Sequence, residues 1–513
     1  MATVSLSSAK GKWVMVATIL ASAMAFIDGT ALNVVLPALQ QNLNASGADL
    51  FWVLNSYLLM LASLILIGGA MGDKLGRKKV FMGGIVLFII GSTACGIAGS
   101  VTVLIICRAV QGIGGAFMIP GSLSLISSAI NVKERGKAIG TWSAFTTVVT
   151  MGGPILGGAL ADAGLWRYIF FINIPIGIAA FIMLAFRVDE TKDEDADKAL
   201  DFPGAITIAF ALALLTFGFL RIPAVGLAHL QSYGSLAAGL IFLMIFIVIE
   251  KKSGHPMMPL NLFSNPVFTG VNLLTFFLYA GLGAGMLFLS LNLVQVQGYS
   301  QLQSGLTFLP FTVLMVTVAR YAGSLADKYG PQWFLIGGPT LTGVGLLLLS
   351  FVEQTNGPAD YWTTFFPGIF VLGLGMSFTV APLTATVMGS VSDHFSGTAS
   401  GVNNAMTRIS GVFANAIFGA LAVLFFTSTL TKQIDKVSLN TQQKEQVIKQ
   451  AVNLGDAKVP ADISPKQKKT IETYYKLSFI DAYAGIMRIS AGLGFLGALT
   501  AMLFIKSRIK KHR

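Results

Sequence analysis

Two opposite charges lie inside long apolar runs. Asp28 falls in the run 13–36, and Arg108 falls in the run 102–130. At 1.5 Å per helical residue, Asp28 is about 12 Å below the end of its run and Arg108 about 10 Å below the start of its own. The runs cross in opposite directions, so the two charges share a depth. Ionisable side chains inside a bilayer are costly and by default mark a functional site. Burial disfavours a charged carboxylate, and a neighbouring guanidinium favours it. A carboxyl group balanced between the two can load and release a proton; the alternative is a permanent structural ion pair. Little else in the runs could do chemistry. His229, His255, His394 and His512 are scattered singly and read as loop residues. Cys95 and Cys107 fall within apolar runs, without metal-ligand spacing, and do not read as a structural disulfide. With no nucleophile or metal cluster in the runs, an intramembrane enzyme is a poor reading, and no cofactor is implied.

The elements that must position this pair are membrane helices. Of 513 residues, 54% are hydrophobic and 11% charged, against about a quarter charged in soluble chains. Fourteen spans are predicted, giving an all-α membrane protein. The first six run over 13–36, 50–72, 79–99, 102–130, 138–161 and 168–186. Two follow at 204–221 and 234–250, and the last six at 267–296, 303–322, 332–352, 362–389, 398–427 and 479–504. Apart from nine lysines in the long outer segment 428–478, where the rule is weak, the basic residues sit in short alternate loops and the tail, the positive-inside pattern rather than a nucleic-acid surface. It places both termini in the cytoplasm. Lys10, Lys12 and Ala21-Ser22-Ala23 imitate a secretory signal, but the apolar run continues to Leu36 and reads as a first span. The charged linker Arg187–Asp201 ends a first half. The predicted organisation is 1–190 as an N-terminal six-helix half, 191–262 as linker and two inserted helices, and 263–513 as a C-terminal six-helix half. The latter carries a long outer loop at 428–478. There, Ser464-Pro465 predicts the start of a short helix within an extracytoplasmic hairpin that reads as a connector.

One hinge is used twice. GAMGDKLGRKKVF (Gly69–Phe81) follows the second span, and a relic, GSLADKYGP (Gly323–Pro331), follows the tenth. Repeated hydrophobic units at matching places are the signature of secondary transporters, with the substrate site near the midplane between the halves. A receptor would not need duplicated halves. The hinge glycines allow sharp reversal, and Asp73 can pair with Arg77 or a helix N-terminus as a releasable latch. Asp73, Gly76, Arg77 and Asp327 are therefore the expected gating residues. In the fifth span, Pro154 breaks the helix amid Gly153, Gly157 and Gly158, which suits close packing and bending. Polar residues in the spans mark the expected central cavity: Asn33, Gln111, Asn272, Asn292, Gln295, Asn403, Asn404 and Arg408, with Phe276 and Met286 as apolar wall. Arg320 reads as an interface anchor. Asp481 reads as paired with the lysine-rich loop, or as a second cation site.

The sequence resembles the major facilitator superfamily, and within it the 14-helix branch of drug:proton antiporters. The hinge is similar to that family's signature loop. FIDGTALNVVLP (Phe26–Pro37), LIICRAVQGIGGA (Leu104–Ala116), MGGPILGGAL (Met151–Leu160), GLWRYIFFINIPIG (Gly164–Gly177) and VQGYSQLQSGLTFLP (Val296–Pro310) resemble motifs of the branch. The resemblance implies a major facilitator fold of two six-helix halves plus two inserted helices. It implies proton-coupled export of lipophilic drugs across the cell (inner) membrane, with Arg108 involved in proton transfer and the Pro154 motif tracking with antiport. Some exporters of the branch carry extra carboxylates in the C-terminal half, suited to dicationic substrates. Spans nine to thirteen here carry no buried acid. Lipophilic monocations or neutral amphiphiles then fit Asp28, and the arginines leave organic anions open. The alternative function is export of a physiological solute: a siderophore, lipid or organic anion. The implied partners are a small-molecule substrate, protons and the lipid bilayer, with a periplasmic adaptor left open and nucleic acid excluded.

Overall fold

A computed structural model describes residues 4–191, 201–391 and 396–505. Lys192, Lys198, His394, His512 and the basic tail lie outside the described residues. The first half comprises α1 (Ala9–Leu43), α2 (Gly47–Leu75), α3 (Arg77–Ile97), α4 (Val101–Ala129), α5 (Val132–Asp162), α6 (Tyr168–Phe171) and α7 (Asn173–Arg187). Two inserted helices follow, α8 (Phe202–Val225) and α9 (Leu230–Lys252). The second half comprises α10 (Pro266–Gln295), α11 (Gln301–Thr307), α12 (Leu309–Tyr329), α13 (Gln332–Leu349), α14 (Phe365–Gly389), α15 (Ser396–Ile434), the short α16 (Thr441–Lys449) and α17 (Pro465–Phe504). The end of the bundle where α1 begins is termed proximal, the other distal.

Among the described residues, thirteen helices are long and apolar enough to cross a membrane. The fourteenth expected span falls on α5, whose apolar stretch, Val148–Asp162, is shorter than the others. Its proximal part is rich in charge and threonine, which lowers its hydropathy. Two expected spans are interrupted. The chain breaks between α6 and α7 just before Pro175, and between α11 and α12 just before Pro310. A proline has no N–H to continue the ladder from the preceding turn.

Three helices overrun their expected ends. Helix α1 continues through Pro37 to Leu43 and stops at Asn44, held in the left-handed region at φ 49°, where asparagine is tolerated. Ser464 and Pro465 do start a helix, but not a short one. Helix α17 runs 40 residues without interruption, joining the expected loop helix to the last span. With α15 extended to Ile434, the loop predicted at 428–478 shrinks to 435–464.

Within the first half, α4 packs on α2 and α3, and α1 on α5 and α7. In the second, α14 packs on α12 and α13, and α17 on α10, α13 and α15. Lipid is as apolar as the side chains, so close van der Waals contact must hold these helices together. Small residues supply it: a Cβ on Gly91 would stand 2.7 Å from the Gln111 amide nitrogen. The halves meet along α2–α15 and α5–α11, and the α8–α9 hairpin lies against both α2 and α15. The duplicated hinge reappears as matching geometry: Gly76 turns at φ 115° and Gly330 at φ 91°, a region open to glycine alone without strain.

Candidate functional site

Asp28 and Arg108 meet. The Arg108 Nη1 donates to Asp28 Oδ2 at 2.5 Å and to Gln111 Oε1 at 2.8 Å. The Gln111 Nε2 donates to the second carboxylate oxygen, Asp28 Oδ1, at 2.9 Å. The Arg108 Nε donates to the Val53 carbonyl at 3.3 Å, and the guanidinium carbon stands 4.3 Å from the centre of the Tyr57 ring. Asp28 and Arg108 are 0% and 1% exposed. Because α1 extends to Leu43, Asp28 lies near its middle, deeper than the run to Leu36 suggested. Gln111, expected in the cavity, belongs to this cluster. It sits one turn from Arg108 on the same face of α4. Tyr57 and Val53 were not foreseen, since nothing marks an aromatic or a carbonyl in an apolar helix as a partner.

The arrangement gives each state of Asp28 a set of bonds. Ionised, the carboxylate accepts from Arg108 and Gln111. If it takes a proton, the guanidinium keeps the Gln111 oxygen, the Val53 carbonyl and the Tyr57 face. A buried cation left with hydrogen bonds and an aromatic face is far less costly than one left bare.

Helix α5 couples this region to the second half. Pro154 cannot bond the Thr150 carbonyl, and the Thr30 hydroxyl from α1 donates to it at 2.9 Å. Gly157 lies against α1: a Cβ there would stand 2.7 Å from the Ala31 oxygen. Gly158 faces the other way, where a Cβ would meet Leu302 Cα at 2.7 Å, and Gly305 lies as tightly against Pro154. Beside them, Asp162 accepts from Gln301 N at 2.8 Å, Leu302 N at 2.9 Å and Ser300 Oγ at 2.6 Å. A carboxylate of the first half thus caps a helix start in the second. Further along the distal seam, Gln295 Nε2 donates to Gln40 Oε1 at 2.9 Å, and the Phe51 and Phe288 rings lie 6.0 Å apart. The segment 450–456 covers the seam, with Asn453 O accepting from Gln40 at 3.2 Å. There, burial pushes the Asp456 carboxyl above its usual range. These contacts join the two halves along the distal side.

At the proximal hinge, the side chains of Asp73 and Asp327 lie outside the described residues. Arg77 begins α3, and Gly76 makes the turn. The anion at the α3 N-terminus is Glu190, which the sequence reading passed over as part of a charged linker. Its carboxylate accepts from Lys78 N at 2.9 Å and Lys79 N at 3.1 Å. Nearby, Lys10 at 2.7 Å holds the Asp189 carboxyl below its usual range. Loss of a carboxylate cap costs about 1 kcal/mol. The Glu190→Ala variant is therefore expected to be about 1 kcal/mol less stable, read as a lower thermal midpoint of the purified protein.

The remaining cavity residues separate. Asn403 of α15 donates to Asn272 Oδ1 at 3.1 Å and Thr275 Oγ1 at 2.8 Å, both on α10. Asn404 is exposed and bonds its own helix at Ser400 O. Phe276 packs edge-on to Phe277 and Phe413, and Met286 packs against the main apolar core. Asn292 is fully buried with neither amide atom bonded, and Gln295 belongs to the distal seam. Asn33 is half-buried on α1. Arg408 is half-buried, with a buried Nε that has no partner. Asp481 accepts from the Thr429 hydroxyl. The Arg320 side chain lies outside the described residues.

Comparison with known proteins agrees with this architecture. The family model described as Major Facilitator Superfamily matches residues 18–415. The chain is 28% identical to a tetracenomycin C resistance and export protein of Streptomyces glaucescens, over 94% of this chain and 90% of that one. It is 30% identical to the multidrug resistance protein Stp of Mycobacterium tuberculosis, over 82% of this chain and 78% of that one. Among solved structures, a bacterial homologue of the human lysosomal transporter Spinster, inward-facing and unoccupied, aligns with a TM-score of 0.66 at 18% identity. The alignment covers 98% of this chain and 100% of that one.

Proposed function

We propose that the chain, which belongs to the Major Facilitator Superfamily and is a multi-pass membrane transporter, exports lipophilic drugs or similar amphiphiles in exchange for protons. The relatives' names support drug efflux as the general function. Proton coupling rests on one observation: Asp28 is a fully buried carboxyl whose cationic partner has other bonds waiting when it is neutralised. In this reading the proximal end is cytoplasmic, as the basic loops require, and the membrane is the cell (inner) membrane. With the distal seal open, an outside proton loads Asp28, frees Arg108 and favours substrate release. With the seal closed, the proton leaves inward and the carboxylate regains Arg108. The organisation into 1–190, 191–262 and 263–513 lets the two halves rock about this region. Asp73, Arg77 and Asp327 guard the inner mouth, and Asn272, Asn403 and Arg408 supply polar contacts to the substrate.

Arg408 favours a second class of cargo. A buried Nε without a partner suits an organic anion, as in a physiological solute exporter. Proteoliposomes with an imposed pH gradient decide between the readings. Lipophilic cations added to the substrate side are expected to drive proton movement recorded by a lumenal pH dye. If cations give no signal and organic anions do, the solute exporter replaces the drug exporter. If neither moves protons while the protein transports label, proton coupling is wrong.

A further inference from the structure

A buried pair of acidic residues lies outside the Asp28 cluster, at the proximal base of the inserted helices. Asp201 is the last residue before α8, and Glu250 is in the last turn of α9. They are 7% and 2% exposed. Each uses one oxygen on backbone: Asp201 Oδ1 accepts from Gly204 N at 2.8 Å, and Glu250 Oε2 accepts from Met258 N at 2.9 Å. The other two oxygens, Asp201 Oδ2 and Glu250 Oε1, have no donor. They point to one place. A Cβ on Gly204 would lie 2.7 Å from the first and 2.8 Å from the second. Two bare carboxylates cannot both stay ionised side by side away from water, because each charge opposes the other. One proton between them turns two orphaned acceptors into one hydrogen bond.

We propose that Asp201 and Glu250 form a one-proton site, loaded from the proximal aqueous side, that clasps together the two segments connecting the halves. Asp201 ends the linker from the first half, and Met258 lies on the segment that enters the second. A cavity of about 430 Å³, lined by Asp201, Val248, Lys252, Ser253 and His255, opens on the Asp201 side of the pair. In the proposal the proton enters from there, past Asp201. Among the described residues, the other titratable groups lining the cavity are Lys252 of α9 and His255 of the following loop. The faces of α2 and α15 packed on the inserted helices present Leu59, Ala62 and Val412, all apolar. The clasp holds while the proton is bound and loosens as pH rises and removes it. It lies outside the Asp28 cluster and does not depend on the transport reading.

The test is hydrogen exchange of the full-length protein in lipid nanodiscs from about pH 5 to about pH 9, corrected for intrinsic rates. At the amides of Gly204 and Met258, protection is expected to fall about tenfold or more as pH rises, the worth of one hydrogen bond to a charged group. In Glu250→Gln the side-chain amide donates permanently to Asp201, and the profile is expected to be flat and protected. Asp201→Asn does the same from the other side while keeping a good helix cap. In the wild type alone, a carboxylic-acid C=O infrared band is expected to disappear with the same midpoint, so the test stands even if the variants misfold. A flat wild-type profile overturns the proposal, as does a slope that persists in both variants. Protection restored at high pH by sodium or calcium chloride would also overturn it, making this a cation site.

Discussion

In the Asp28→Asn variant, adding substrate to vesicles that hold a pH gradient is expected to move no more protons than empty vesicles do. Asparagine matches aspartate in shape and can still accept from Arg108, but it cannot take up a proton. The loss is thus specific to coupling, whereas folding pays a bounded cost. Removing one partner of a buried ion pair costs about 3–5 kcal/mol. Here the guanidinium keeps Gln111, Val53 and the Tyr57 face, so it is not left bare and the cost is expected at the low end of that range. The variant should remain folded with a lower thermal midpoint, and should still bind substrate. Full coupling in a folded Asp28→Asn protein would make the ion pair structural and move the proton site elsewhere.

The second large effect is expected at Gly158. A Cβ there would lie 2.7 Å from both the carbonyl carbon of Gln301 and Leu302 Cα, far inside the distance at which carbon atoms attract. These are backbone atoms and cannot rotate aside. Helices α5 and α11 would have to part, taking Asp162 away from the Gln301 and Leu302 amides. Overpacking of this kind costs about 1–3 kcal/mol, enough to shift the population away from the sealed distal side by about ten- to a hundredfold. Labelling by a membrane-impermeant thiol reagent reads this directly. With Phe288→Cys as the reporter, in a background lacking Cys95 and Cys107, Gly158→Ala is expected to label faster and to export poorly. Unchanged labelling would mean that the seal does not depend on this contact.

The Asp28–Arg108 pair was legible in the sequence because hydrocarbon tolerates so few charges that two at one depth must be partners. The hinge was legible for a similar reason. Only glycine turns at φ 115° or 91° without strain, so Gly76 and Gly330 stand out as a repeat. What the sequence hid depends on contacts between distant segments. Pro37 looked like the end of the first span, yet a proline removes a single bond and the helix ran on to Asn44. Glu190 was read only as part of a charged linker and Asp162 was not singled out; folding placed both on backbone amides of other elements. Asparagines along α10 and α15 looked like one cavity lining. The helical faces divide them: Asn403 meets Asn272, while Asn404 turns away.

Helix α17 has a mechanical consequence. Its 40 residues contain no proline beyond the first turn, and at 1.5 Å per residue they make a rod about 60 Å long. That is about twice the hydrocarbon thickness of a bilayer. A rod of this length cannot shift at one end and stay still at the other. Its upper turns pack against the segment 450–456 that covers the distal seam, and its lower turns end at Phe504. A tug on the cap is a tilt at the opposite face. The distal and proximal ends of the bundle are therefore joined by a continuous lever, and a ligand gripping the distal cap is expected to be felt at the proximal end.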